Sequence, residues 1–362
     1  MDVRGNSLLG VVVLAVWPPM NRTEFEITLL FIVVFAFGAG CHSGRSVSEG
    51  QPSATANFLK SPVNVRPLTD RRFERTPERL ARGRYLVKGV GECFACHGPY
   101  DLNAPGWPPV RGKEGSGLSG FSSSPEAVAA NLTPDRETGI GNWTDDMLAR
   151  AIREEVNHDG RLIDPTIMPY EFYRSMSDED LASVIVYLRS IPPIRNVLPV
   201  SRTPQNIVVP YAIPIYAPVP RPDLSAPVKR GAYLVQIGAC QWCHTLRDAN
   251  RKTLPGLEFA GGDLITTSDA NVTSANLTPD SSGISYYAEA QFLKTMHTGK
   301  VGARKISPIM PWWFFGQMTD DDLKSIFAYL RTLKPVHHRV DNTEPVGYCR
   351  ICKRKHHGGA LN

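Results

Sequence analysis

The sequence has little excess charge of either sign and no dense stripe of basic residues before its last segment. Its formal net charge is +5 over 362 residues. Recognition of nucleic acid needs lysine and arginine gathered where they can neutralise a phosphate backbone. We therefore expect no nucleic-acid partner for this chain.

Long hydrophobic runs are also missing. The apolar stretches 8–17 and 27–37 are each about half of the ~20 residues that a membrane-spanning helix needs. The second stretch suits the hydrophobic region of a signal peptide, and the small residues before Cys41 resemble a bacterial lipobox. We expect an export signal over 1–41, with Met20 as its true start and a lipid on Cys41. The alternative is an uncleaved anchor, or a cleaved signal beside an incidental cysteine.

No alternation of apolar and polar residues predicts a large sheet, whereas helix signals are frequent. Thr76 followed by proline predicts a capped helix start. Ser177 and Thr319 each precede a run of acidic residues, which the helix dipole favours in a first turn. The apolar residues after both positions recur with the spacing of one buried helical face. The sequence therefore predicts a mainly helical protein.

The chain repeats itself, and the repeat predicts two domains. Five segments recur in the same order, 142 to 148 residues apart. They are Arg82–Val87 with Arg230–Val235, Cys93–His97 with Cys240–His244, Asn131–Asp135 with Asn276–Asp280, Met168–Tyr170 with Met310–Trp312, and Tyr187–Arg189 with Tyr329–Arg331. Between the halves, residues 196–228 contain eight prolines, which predicts a semi-stiff linker without a continuous helix.

Each half contains one Cys-x-x-Cys-His motif, the attachment signal for c-type haem. Both thiols can add to the vinyl groups of one haem, and the adjacent histidine then becomes the proximal iron ligand. Zinc sites and thioredoxin-like pairs also use two cysteines, but zinc would need further ligands in each half and a redox pair would not need the histidine. We expect two covalent haems, attached at Cys93, Cys96 and His97 and at Cys240, Cys243 and His244.

Methionine is the expected second axial ligand. Met168 and Met310 both lie in Ile-Met-Pro segments followed by aromatic residues, where proline fixes a loop that can direct a thioether at iron. Met176 and Met318 immediately precede helix N-caps, so we expect them to pack against the following helix. Histidine–methionine ligation leaves no open iron position and is typical of electron transfer.

Polar residues near these motifs have two interpretations. Trp143 and the repeated Asn131 and Asn276 could donate hydrogen bonds to haem propionates. The two asparagines could equally cap turns. Tyr286 is the residue that we expect at the position of Trp143 in the second half.

With these motifs, the chain resembles tandem class I cytochromes c, and in particular the cytochrome c subunits of membrane-bound bacterial alcohol, aldehyde and gluconate dehydrogenases. The resemblance covers 75–195 and 228–336, and it implies the same iron ligands. It also implies that Gly83 lets the first helix cross the last one near Tyr187, with Gly231 and Tyr329 as the second such pair. Subunits of this kind commonly carry three haems, whereas this chain has two full motifs.

We therefore predict an all-α protein with two tandem class I cytochrome c domains joined by a Pro-rich linker. The predicted order is a signal peptide (1–41), a flexible tether (42–70), the first cytochrome domain (71–195), the linker (196–228), the second cytochrome domain (229–336) and a basic tail (337–362). The predicted function is electron relay in the periplasm, from a dehydrogenase toward a terminal oxidase or another cytochrome. It is not itself an enzyme in this interpretation; the alternative is a di-haem peroxidase, and a sensor would lack an output domain.

The basic tail contains a third cysteine pair, Cys349 and Cys352, without the following histidine. We expect no third haem there. In an oxidising compartment a local disulfide is the first expectation. A metal site that adds His356 or His357, and free thiols, are the alternatives. The tail could form a basic docking patch for an acidic partner or remain solvated.

Overall fold

Two crossing helices form the frame of each half. In the first half they are α1 (Pro77–Tyr85) and α4 (Asp178–Leu188), and in the second half α5 (Pro227–Ile237) and α9 (Asp320–Leu330). The computed structural model describes residues 65–120, 127–164, 167–200, 214–248, 252–266 and 271–362. Within these residues, no helix is both long enough and apolar enough to cross a membrane.

Further helices complete the described part of the structure. They are α2 (Asp145–Arg153), α3 (Tyr170–Tyr173), α6 (Cys240–His244), α7 (Glu289–Thr298) and α8 (Trp312–Phe315). Helix α1 continues into a π-helical segment, Leu86–Val90, and 3-10 turns cover Cys93–Ala95 and Gly359–Leu361. The predicted helix starts at Thr76, Ser177 and Thr319 are confirmed, because each hydroxyl accepts a hydrogen bond from the third backbone N–H of its helix.

The described residues also contain β structure, which the all-α prediction omitted. Four two-stranded antiparallel sheets are present: β1 (Leu118–Ser119) with β2 (Val128–Ala129), β3 (Leu264–Thr266) with β4 (Asn271–Thr273), β5 (Lys300–Val301) with β6 (Arg304–Lys305), and β7 (Val346–Tyr348) with β8 (Lys355–His357). Each strand has two or three residues and pairs with its neighbour in the chain. Strands this short show no alternation that a sequence pattern could detect.

The crossing of the two frame helices depends on a glycine in each half. A Cβ on Gly83 would lie 1.9 Å from the Ser183 carbonyl oxygen and 2.7 Å from the Tyr187 Cβ. A Cβ on Gly231 would lie 1.8 Å from the Ser325 carbonyl oxygen. Because no side chain fits at such distances, the predicted close approach at these glycines is confirmed.

The two halves share one hydrophobic core. It includes Leu86 and Leu181 of the first half and Leu234 and Leu323 of the second, each at most 2% exposed. Contacts cross between the halves at helix ends: a Cβ on Gly89 would lie 3.6 Å from the Met318 Cγ. Apolar packing therefore holds the halves together as well as each half internally.

Two segments for which no regular structure was predicted are held to these halves by polar contacts. Near the end of the predicted tether, the guanidinium of Arg66 forms buried ion pairs with Asp146 and Glu154. In the linker, the backbone of Val219 exchanges hydrogen bonds with Asp178. The predicted signal peptide over 1–41, with Met20 and Cys41, and residues 42–64 of the predicted tether lie outside the described residues.

Candidate functional site

The two Cys-x-x-Cys-His motifs begin with the same unusual backbone conformation. Glu92 and Ala239, which precede the first cysteine of each motif, have φ angles of 41° and 50°. Left-handed backbone is uncommon for residues other than glycine and marks a sharp change of chain direction. The turn comes one residue after the π-helical extension of α1 in the first half and one residue after α5 in the second. It places the first cysteine of each pair, Cys93 or Cys240, against the core as a partly buried side chain.

Both motif histidines are oriented by a backbone carbonyl. The Nδ1 atom of His97 lies 2.7 Å from the Ala130 oxygen, and that of His244 lies 2.7 Å from the Ala275 oxygen. A carbonyl only accepts, so each Nδ1 carries the hydrogen and each Nε2 offers its lone pair. Burial lowers the pKa of both histidines, which favours the neutral imidazole that a metal requires.

The four motif cysteines form no disulfide. Burial raises the pKa of Cys93, Cys96 and Cys240 to about 12, and it raises the pKa of Cys243 as well. A thioredoxin-like pair depends on the opposite shift, a lowered thiol pKa. The arrangement therefore disfavours a dithiol redox site.

A cavity of about 770 Å³ adjoins the first motif. Cys93, Cys96 and His97 line it, as does Met168 from the loop after α2. Apolar side chains such as Leu148 and Val184 complete much of the wall. Two thiols, an imidazole with a free Nε2 and a thioether around one apolar cavity are the groups that a covalently attached haem requires, so the residues present fit haem c.

The predicted methionine ligands occupy matching loops. The backbone N–H of Tyr170 donates to the Met168 carbonyl at 2.9 Å, and that of Trp312 donates to the Met310 carbonyl at 2.6 Å. Both thioethers are partly buried against the core. The next residue is proline in each case, and the short helices α3 and α8 start immediately afterwards. The two loops are thus held in the same way.

Met176 and Met318 are more deeply buried, at 4% and 3% exposure. Each shares the hydrophobic core with the leucine five residues later, Leu181 or Leu323, as expected of side chains that pack before a helix start. Met176 also reaches the wall of the first cavity. The choice of Met168 as the axial ligand therefore stays a prediction.

The two repeated asparagines act in turns. The Asn131 amide donates to the Thr138 hydroxyl and the Ile194 carbonyl, and its oxygen accepts from the Thr133 backbone. In the second half, Asn276 donates to the carbonyl of Val336 and accepts from the Thr278 backbone. These bonds occupy the side chains that we also considered for propionate binding.

Tyr287, and not Tyr286, is the counterpart of Trp143. The backbone N–H groups of Trp143 and Tyr287 donate at 3.0 Å to Ile140 and Ile284, which are equivalent in the repeat. Trp143 and Tyr287 both pack against the core, whereas Tyr286 is 65% exposed. The predicted pairing of Tyr286 with Trp143 is wrong by one position, because the segments 139–143 and 283–287 both begin with Gly-Ile and align without a gap. Trp143 lines the first cavity.

Glu92 is a site residue that the motifs did not indicate. It lines the first cavity, and its Oε2 atom is buried without a hydrogen-bond partner. Burial raises the pKa of this carboxyl to about 8. Its charge also contributes to the raised pKa of Cys240 and Cys243, so the second motif lies within electrostatic reach of the first. The second half has Ala239 at this position, directly before Cys240 and with the same left-handed backbone.

Comparison with known proteins gives the same class as the site. No protein-family model matches the chain. Several curated relatives are c-type cytochromes, including a diheme cytochrome c-type of Cereibacter sphaeroides that is 25% identical over 265 residues, 68% of this chain and 83% of the relative. The site and these relatives therefore indicate the same class: the chain is similar to c-type cytochromes.

More particular relatives are dehydrogenase subunits. The gluconate 2-dehydrogenase cytochrome c subunit of Pantoea cypripedii is 29% identical over 275 residues, 70% of this chain and 59% of the relative. The alcohol dehydrogenase (quinone) cytochrome c subunit of Gluconobacter oxydans is 26% identical over 283 residues, 71% of this chain and 55% of the relative. This chain therefore resembles the cytochrome c subunits of gluconate and alcohol dehydrogenases, and it spans somewhat more than half of their length.

Proposed function

We propose that this protein is a di-haem c-type cytochrome that relays electrons from a dehydrogenase toward a terminal oxidase or another cytochrome. In this proposal each half is a class I cytochrome c domain with a helical core. The observation that supports this proposal most strongly is that the histidine of each Cys-x-x-Cys-His motif is oriented in the same way, by the carbonyl of Ala130 or Ala275. A dehydrogenase as the electron donor is supported by the relatives that are themselves cytochrome c subunits of dehydrogenases.

The proposed iron ligands are His97 with Met168, and His244 with Met310. Haem c supplies a one-electron iron couple when bound. The chain's own residues then exclude water and hold two axial positions, which leaves no site for an exogenous ligand. Matching backbone bonds at the two methionine loops support equivalent ligation in both halves.

The packing of the halves favours exchange of electrons between the two sites. Ile237 of the second half lines the cavity of the first motif. Trp242, inside the second motif, makes an edge contact with Phe172 of the first half at 6.3 Å between ring centroids. A relay that accepts an electron at one haem and releases it at the other needs this kind of proximity.

Periplasmic location and a lipid anchor on Cys41 are part of the proposal. The sequence supports them through the apolar stretch 27–37 and the small residues before Cys41. Attachment of haem to Cys-x-x-Cys-His takes place outside the bacterial cytoplasm, which supports export independently. A lipid and a tether would leave both haem sites free to meet redox partners.

The test measures reduction of the protein by a donor and its reoxidation by an acceptor. Catalytic subunits of a gluconate or alcohol dehydrogenase, supplied with their substrate without oxygen, should reduce the purified protein, and the reduced protein should then reduce a soluble cytochrome c. Hydrogen peroxide should oxidise the reduced protein slowly and without sustained turnover. Rapid peroxide turnover would support the di-haem peroxidase instead, and failure of every dehydrogenase donor would contradict the proposed relay.

A further inference from the structure

Four potential metal ligands converge in the C-terminal segment, outside both haem motifs. They are His338, Cys349, Cys352 and His356, and their ligand atoms all lie within 4.8 Å of one another. All four residues are buried; both histidines and Cys349 are 0% exposed, and Cys352 is 5% exposed. The segment that we expected to be a basic tail is therefore folded around a polar cluster.

The hairpin of β7 and β8 carries three of these residues. Gly347 pairs with His356 in the ladder, and the cysteines lie in the turn between the strands. The Cys349 N–H donates to the Arg354 carbonyl at 2.8 Å, and the Cys352 N–H lies 3.5 Å from the Cys349 sulfur. Lys353 has a φ of 59°, which closes the turn. This geometry holds both sulfurs near the histidines, and the cysteines are free thiols instead of the expected disulfide.

The two histidines present lone pairs to each other. The Nδ1 atom of His338 lies 2.9 Å from the Ala260 carbonyl, and that of His356 lies 3.0 Å from the His357 carbonyl. Because carbonyls only accept, both Nδ1 atoms carry the hydrogen. The two Nε2 atoms are then unprotonated, yet they lie 3.1 Å apart, and the Nε2 of His338 lies 3.5 Å from the Cys349 sulfur. Buried lone pairs at this distance repel unless a cation lies between them.

We propose that His338, Cys349, Cys352 and His356 bind one structural Zn²⁺ ion. Bond lengths of about 2.0 Å to nitrogen and 2.3 Å to sulfur give a tetrahedron with edges of roughly 3.3 to 3.8 Å, close to the observed nitrogen–nitrogen and nitrogen–sulfur distances. Two thiolates neutralise the ion, and the thiols release two protons when it binds. Mixed imidazole and thiolate ligands favour zinc over magnesium or calcium. Four protein ligands leave no open position, so the site is structural and not catalytic.

The site ties the C-terminal segment to the loop that follows the second haem motif. The His338 ring bonds to the Ala260 carbonyl, and a Cβ on Gly262 would lie 2.4 Å from the His338 Cε1. The adjacent Gly261 N–H donates to the carbonyl of His244. Leu246, Leu257 and Ala260 of this region pack against both cysteines. Zinc would therefore stabilise the loop that follows the second haem motif and bonds to His244.

His338 could not be identified from the sequence because ten residues separate it from Cys349. His357, which we considered as an alternative ligand, turns away: its Nδ1 lies 2.9 Å from the Thr273 hydroxyl. These differences supply matched controls. His338→Ala and His337→Ala alter neighbouring histidines, of which only the first belongs to the cluster, and His356→Ala and His357→Ala form a second such pair.

Elemental analysis of the purified full-length protein tests the site. We expect one zinc per chain, no zinc in His338→Ala or Cys352→Ser, and full zinc in His337→Ala. Should the ligand variants fail to fold, a thiol reagent added to the wild-type protein should release one equivalent of zinc to a chromogenic chelator. A mass lower by two hydrogens from a Cys349–Cys352 disulfide would overturn the proposal. So would protein that contains no zinc and binds none when Zn²⁺ is added, or zinc that persists in folded His338→Ala.

Discussion

The hydroxyl of Tyr85 donates a 2.6 Å hydrogen bond to the carboxylate of Asp322, 237 residues further along the chain. The repeat generates the reciprocal contact, because the Tyr233 hydroxyl donates to Asp180 at 2.7 Å. Burial and the aspartate partner raise the pKa of each tyrosine to about 12, so both remain donors. Each half thus contributes one tyrosine and one aspartate to a pseudo-symmetric interface.

The repeated Arg-Gly-x-Tyr segment has a separate role for each of its named residues. Arg82 forms a two-bond ion pair with Asp180 within its own half, and Gly83 permits the helix crossing. Tyr85 reaches the other half. In the second copy, Arg230 lies 3.8 Å from Asp322. A segment that the sequence marked as a family motif is therefore also the element that joins the two halves.

Loss of the tyrosine hydroxyl should weaken this interface. Tyr233→Phe should lower the free energy of unfolding by about 1.5 to 3 kcal/mol, because a hydrogen bond to a buried carboxylate is lost. Guanidinium unfolding measures the effect, and Tyr348→Phe is the control, since Tyr348 is 53% exposed. A Tyr233→Phe protein as stable as the control would show that the contact contributes nothing to cohesion of the halves.

Methionine ligation can be separated from methionine packing. Met168→Ala should remove about half of the weak near-infrared sulfur-to-iron band of the oxidised protein, because one of two irons loses its thioether. Met310→Ala should do the same. Met176→Ala should keep the full band while lowering stability, because that side chain is buried in the core. If Met176→Ala removed the band and Met168→Ala did not, the assigned ligands would be exchanged.

Glu92 predicts a pH-dependent reduction potential at the first haem. Its carboxyl has a pKa raised to about 8 by burial, against an ordinary 4.5, so it holds its proton at neutral pH and loses it above about 8. The resulting negative charge favours ferric over ferrous iron, so the reduction potential of the first haem should fall as pH rises through this range. Potentiometric titration at several pH values measures this.

The Glu92→Gln variant should abolish that dependence. Any effect on the second haem should vanish in the same variant, because Ala239 at the equivalent position carries no charge. Dependence of the first potential that survives in Glu92→Gln would remove the carboxyl as its cause.

Membrane attachment depends on Cys41 in the proposed anchor. Cys41→Ser should shift the protein from the membrane fraction to the soluble periplasmic fraction, because the residue that would carry the lipid is then missing. Immunoblots of both fractions measure the shift against the wild-type protein. A Cys41→Ser protein that stays fully with the membranes would contradict lipidation there.

The repeat and its motifs predicted much of the frame, because those features are local. The N-caps at Thr76, Ser177 and Thr319 depend on residues within one helical turn, and Gly83 and Gly231 were found through the repeated motif. Contacts between distant segments could not be predicted in this way. The bond from Tyr85 to Asp322 and the convergence of His338 with the hairpin cysteines depend on tertiary packing that no spacing pattern records.

The most direct measurement is the number of covalent haems per chain, obtained from intact mass and from the pyridine haemochrome spectrum of the denatured protein. Two haems are expected, with one lost in Cys93→Ala/Cys96→Ala and the other in Cys240→Ala/Cys243→Ala. One haem or three in the wild-type protein, or both haems retained in either cysteine-pair variant, would contradict a di-haem carrier built on two equivalent sites.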